Sequence, residues 1–193
     1  MNYLLGRVVV RKGVARLGII KNVADWAEMQ HGESMKGRFP KDAYFEMSDD
    51  FPKDVKLVDV HSNLNNFLVV SQRFKDLLQS ADALKRNEVY EVGIVNHKGR
   101  REKTSYFVIH QIDHLKCADE SQCVGVKSRL DPDEYQSLRK LVLDEKKIDP
   151  SLSLFRALAY RPMPLFRRDL AVKIEAAELS GIAFEEIDGF DDF

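Results

Sequence analysis

Cysteine is scarce in this sequence: Cys117 and Cys123 are the only two in 193 residues. Two are too few for a disulfide framework, so reduced thiols and a cytoplasmic location are expected. Long apolar runs are missing as well. No stretch approaches the roughly 20 residues that cross a bilayer. The opening MNYLLGRVVVRKG is broken at Gly6 and Arg7 with no small-residue cleavage site behind it, which argues against a secretory signal. Nor does one sign of charge dominate, with 30 Lys and Arg against 31 Asp and Glu and a net charge of -1. A dedicated nucleic-acid binder usually carries a basic surplus, so neither nucleic acid nor a membrane is expected as a partner. No G-x-S-x-G elbow, P-loop or G-x-G-x-x-G occurs, and the expectation is a protein that is not an enzyme and needs no cofactor.

What remains is ordinary globular material, 44% hydrophobic and 32% charged, long enough to bury a core without covalent staples. The length predicts one domain over 1–193, with 1–50 as a less regular lobe and 51–193 as the core. In the first segment, Val8–Val10 and Gly18–Ile20 suggest short strands, residues 23–29 a helical turn or two around Trp26, and 32–40 a loop.

Residues 55–60 (VKLVDV) fit a strand. FLVV at 67–70 reads as a strand buried on both faces. Ser71 then caps a helix with Phe74, Leu77, Leu78 and Ala81 on one stripe. Residues 88–115 read as an antiparallel hairpin turning at Asn96–Gly99, with a basic tip at Lys98, Arg100, Arg101 and Lys103. Asp131-Pro132-Asp133-Glu134 has the form of a helix start, and Leu141–Leu143 of a buried strand, with a longer helix through Leu143 as the alternative. Leu152–Tyr160 predicts another strand, broken by Arg161-Pro162-Met163-Pro164. A helix carrying Leu170, Ala171, Ile174 and Ala177 follows, stopped by Gly181, and then a strand over 182–187. The fold class is therefore α+β, a mixed, largely antiparallel sheet with two or three packed helices. The order strand, helix, strand recurs at 67–95 and 163–187; at this low identity, internal duplication and chance recurrence both fit.

The segment HQIDHLKCADESQC, 110–123, carries four side chains of zinc-ligand type. On a strand His110 and His114 share a face but stand roughly 13 Å apart, too far to hold one ion, and Cys117 and Cys123 lack Cys-x-x-Cys spacing. A metal-dependent enzyme using this segment, or a nucleic-acid regulator using the basic tip, are the alternatives to a binding protein. The other asymmetry is acidic. From Glu178 to the end the acids include Glu185, Glu186, Asp188, Asp191 and Asp192, with Phe190 and Phe193 interleaved and no Lys or Arg. Such a patch suits a basic partner, with the aromatics as anchors.

Taken in order, LVVSQRFKDLLQ (68–79), EVGIVNHKGR (91–100), YFVIHQIDHLKCADES (106–121), LFRALAY (154–160) and ELSGIAFEEIDGF (178–190) resemble the immunity proteins of bacterial polymorphic toxin systems, a group typified by a myxobacterial immunity-protein domain. The resemblance covers roughly 45–190. It implies stoichiometric neutralisation of a co-encoded toxin, as in competition between bacteria, with the toxin as partner and no catalytic residue. Within that reading Glu185, Glu186, Asp188, Phe190, Asp191, Asp192 and Phe193 are the candidate toxin-binding residues.

Overall fold

The computed structural model describes residues 2–187. Strands dominate it, in three sheets rather than the one sheet expected, and the three helices are short. A five-stranded sheet has the order β2-β5-β6-β4-β3, formed by β2 (Tyr44–Glu46), β3 (Val60–His61), β4 (Leu68–Ser71), β5 (Asn87–Val95) and β6 (Tyr106–Gln111). It is antiparallel except where β2 joins β5. A four-stranded antiparallel sheet has the order β11-β1-β10-β9, formed by β1 (Tyr3–Val8), β9 (Leu154–Ala157), β10 (Tyr160–Arg167) and β11 (Ile182–Glu186). The third sheet is a ribbon of β7 (Val124–Lys127) and β8 (Tyr135–Lys140).

The expected strand, cap and helix are present at 68–80. Ser71 is extended, and its hydroxyl accepts a hydrogen bond from the Phe74 N–H at 3.3 Å, starting α2 (Gln72–Ser80). The same hydroxyl donates to Asp59 at 2.7 Å, tying the cap to the segment before β3. Ser71→Ala removes both bonds and is expected to cost about 0.5–2 kcal/mol, measurable by urea denaturation. Phe74 and Leu78 bury the inner stripe of α2 against β4 and β6.

A second unit repeats this geometry. Helix α3 (Arg168–Ala176) follows β10 and leads to β11, and it lies on β10 and β1. In each unit the two strands flank one antiparallel neighbour, β6 in the first and β1 in the second. Both helices span nine residues, and each is capped by an alanine followed by an acid in the left-handed region, Asp82 and Glu178, both at φ 52. The two helices share one core. Phe74 and Leu78 of α2 and Leu170 and Ile174 of α3 belong to one cluster with Leu68 and Ile109 of one sheet and Leu154 and Phe166 of the other.

Several expectations are corrected. Glu178, not Gly181, is the left-handed residue that ends α3. Gly181 serves the junction of the two sheets instead. It has φ +90, and a Cβ there would lie 2.2 Å from the Val60 carbonyl oxygen. Its own carbonyl accepts from Val9 N–H. Asp131–Glu134 starts no helix. Asp131 accepts from the Asp133 N–H and, through its backbone, from Glu134 N–H, closing a turn that leads into β8. The run 161–164 does not break a strand: β10 passes through it. Pairing with β9 shifts between Tyr160 and Leu165, so Pro162 and Pro164 occupy an irregular stretch where a missing N–H removes no ladder bond. Of VKLVDV only Val60 is in a strand, while Gly18–Ile20 and Leu141–Leu143 contribute isolated bridges at most.

Residues 9–43 are mostly turns, but they are not loose. Ala15, Leu17, Ile20, Met29 and Met35 are buried against Val69, Val92, Ile94 and Val108 of the five-stranded sheet. Short α1 (Trp26–Gln30) sits in this cover and supplies Met29.

Candidate functional site

Three places on the molecule could meet a partner. The first is the acidic edge marked by the sequence. β11 ends the order of its sheet, so one side of it pairs with β1 and the other has no strand neighbour among the described residues. An open edge offers unpaired backbone groups to an incoming chain. Its acids are partly answered from within the molecule. Glu185 lies 3.3 Å from the Arg7 guanidinium. Glu186 takes two bonds from Arg168, at 2.8 and 2.9 Å, and this pairing holds its carboxyl below the usual range. Both pairs are half exposed, so they add little stability. Asp188, Phe190, Asp191, Asp192 and Phe193 lie outside the described residues.

The second place is the ribbon, which no local pattern in the sequence marks. Val124 and Val126 are 52% and 59% exposed, and Leu130 in the connecting turn is 98% exposed. Leu138 and Tyr135 anchor the other face in the core, with Leu141, Leu143 and Phe155.

The third is a cavity of about 270 Å³ where the two large sheets meet, with Glu134 from the turn before β8 in its wall. Its floor is Arg156 of β9, a cation only 9% exposed. The guanidinium donates to Gln111 Oε1 at 2.8 Å, to the Asn66 carbonyl at 2.6 Å and to the Arg161 carbonyl. It thereby joins β9 to β6, to the loop before β4 and to β10. No acid among the described residues forms an ion pair with it. Burial alone pulls its pKa down, to about 10, which leaves it cationic at neutral pH. Arg161 stands beside it, 2.8 Å from Asp131 and 3.4 Å from Glu134, and 2.6 Å from His31 Nδ1.

The histidines of the 110–123 segment divide from its cysteines. His110 and His114 both line this cavity. His110 Nε2 is 2.8 Å from the Glu33 carbonyl. Burial lowers the pKa of both rings, to about 3 for His114, where Arg156, Arg161 and His110 add to the effect and the Gln111 backbone only weakly opposes it. Cys117 is fully buried in a different core, where burial pushes its thiol up to about 12. Cys123 exchanges hydrogen bonds with the backbone of Val142. These four side chains do not converge, and among the described residues no group of three or more His, Cys, Asp or Glu is placed to hold a metal ion. Thiols with raised pKa values are also poor nucleophiles at neutral pH.

The turn at the basic hairpin tip is held by Asn96. Asn96 Oδ1 accepts from the N–H groups of Lys98 and Arg100, Asn96 Nδ2 donates to Glu102, and the Arg101 guanidinium lies over Gly93. Among the described residues no helix is long and apolar enough to cross a membrane.

The sequence held one signal for the cavity. LFRALAY sets a single arginine inside an apolar run, and a charge so placed must be buried or must bend the strand outward.

No curated protein matches the chain. The family model described as the immunity protein family (Imm11) matches residues 12–189, nearly the whole length, including the cavity and the ribbon, and the protein therefore belongs to that family of immunity proteins.

Proposed function

We propose that this protein binds a cognate toxin one to one in the cytoplasm and neutralises it by covering a surface the toxin needs, with no chemistry of its own. The observation that carries this is family membership across 12–189. An interface of standard size takes about 800 Å² from each partner, a small part of the 10378 Å² exposed here.

The proposed toxin contact is β11 with its continuation: Glu185, Glu186, Asp188, Phe190, Asp191, Asp192 and Phe193. An edge strand with outward acids suits a basic segment laid alongside it, and the acids would speed encounter more than they would tighten the complex. The test is coexpression with the product of the adjacent gene. Growth rescue and a complex that survives gel filtration are expected, both weakened on deletion of 188–193. Full rescue by the truncated chain would remove the C-terminal segment from the interface. A harmless neighbour with no complex would remove the function.

A further inference from the structure

The cavity at the sheet junction holds a surplus of hydrogen-bond donors. Three of the five N–H groups of Arg156 go to neutral oxygens, and no carboxylate among the described residues balances its charge. Asn65 is 1% exposed and also lines the cavity. Its Oδ1 accepts from Ile20 N–H at 2.8 Å, which fixes the amide orientation and leaves Nδ2 as a donor with no acceptor. Arg161 Nε is buried and equally without an acceptor. Neither ring nitrogen of His114 has a well-formed hydrogen bond. Glu134 is the one acid in the wall, and it lies against Arg161 rather than Arg156.

Each buried donor left without an acceptor costs about 1–3 kcal/mol, and folded proteins keep few of them. Three neighbouring residues in one cavity therefore call for an explanation. A cation would meet two guanidiniums, and an apolar ligand would leave every donor unmet. Water can meet the unused donors, but only an anion also answers the unbalanced charge of Arg156, through charge-assisted bonds. At ~30 Å³ per water, the space holds about nine waters, enough for one oxyanion on a short stem.

We propose that this cavity is an anion-binding site that takes a single carboxylate or phosphate group on Arg156, Arg161 and Asn65. The group comes either from an acidic side chain of the bound toxin or from a free oxyanion; only the first source rests on the immunity reading.

The test is a titration of the full chain, followed by amide and arginine Nε–H NMR, with sodium acetate and with sodium phosphate at constant ionic strength. Saturable shifts at Gln111, His114 and Arg161 Nε are expected, with affinity falling about tenfold or more in Arg161→Gln, the size of one lost charge-assisted bond. Arg156→Gln removes a tie between sheets, so Arg161→Gln and Asn65→Ala, checked for a native spectrum, carry the comparison. Shifts that stay linear for both anions, or equal affinities in the wild type and both variants, would overturn the site. A second arm measures affinity for the adjacent gene's product with and without saturating acetate. Weaker toxin binding identifies an acidic toxin side chain as the natural occupant, and unchanged binding identifies a free oxyanion. If that product does not bind at all, the immunity reading falls, and the acetate and phosphate titrations still decide the site.

Discussion

Replacing Phe166 with alanine is expected to lower the unfolding free energy by about 3–5 kcal/mol, a large share of the whole stability of a domain. The ring has no solvent exposure and stands in the core shared by α2, α3 and both large sheets. It meets Phe184 of β11 edge to face, with centroids 5.2 Å apart. It also lies directly over Gly6 of β1, where a Cβ would come within 2.4 Å of the ring. Truncation removes the ring's contacts with β1 and β11 and leaves a cavity in the core. Urea denaturation followed by circular dichroism measures the change. A loss under about 1 kcal/mol would mean that the two β-α-β units do not depend on this ring.

The second large effect is loss of stability in mild acid. Burial lowers the pKa of His61, His110 and His114 in the folded chain, that of His114 to about 3. His61 shows how a neutral ring is held, with Nδ1 bonded to the Ala15 carbonyl and Nε2 accepting from Val58 N–H. In the unfolded chain these rings take up protons near pH 6.5. The unfolded state therefore binds more protons as the pH drops. The stability these rings supply is complete above about 6.5 and falls below it, for His114 until about pH 3. Each such histidine contributes at most about 1.4 kcal/mol per pH unit. Between pH 7.5 and 5 the unfolding free energy is expected to drop by several kcal/mol. His114→Phe should flatten the curve. Asp59 extends the loss to lower pH: burial raises its carboxyl, but bonds from Ser180 and Ser71 outweigh that and hold it low, so its contribution disappears as pH falls through that depressed value. Equal denaturation midpoints at pH 7.5 and 5 would contradict the buried, neutral state of these rings.

Local chemistry made part of this fold legible. The strand and helix at 68–80 could be read because an apolar run, a capping serine and a helical stripe occur in immediate succession. The hairpin of β5 and β6 could be read because Asn96 and Gly99 supply the turn, Gly99 at φ 68. The ribbon could not. Tyr135, Leu138 and Leu141 are all buried, a three-residue spacing that imitates a helix. It arises here because the pairing of β7 with β8 shifts register twice. Strand β10 was hidden by its two prolines. The central place of β1 had no local signal at all, since its partners lie more than 150 residues away along the chain.

The candidate site divides in the same way. Acidity at the C-terminus is a property of composition and is visible at once, whereas its partial neutralisation by Arg7 and Arg168 depends on long-range pairing. Arg156 has no local mark beyond being a charge in an apolar run. Its cavity is assembled from β6, β9, β10, α1 and the loop at 65–67, which no window of sequence brings together. His110 and His114 belong to that cavity and not to the two cysteines that follow them.

The most direct test of stoichiometric neutralisation is titration of the toxin's activity, whatever reaction that proves to be, with purified protein at toxin concentrations well above the dissociation constant. Activity is expected to fall linearly and to reach its floor at one molecule of this protein per toxin. Complete loss of activity at a small fraction of an equivalent, abolished by changing one side chain, would reveal turnover and contradict it.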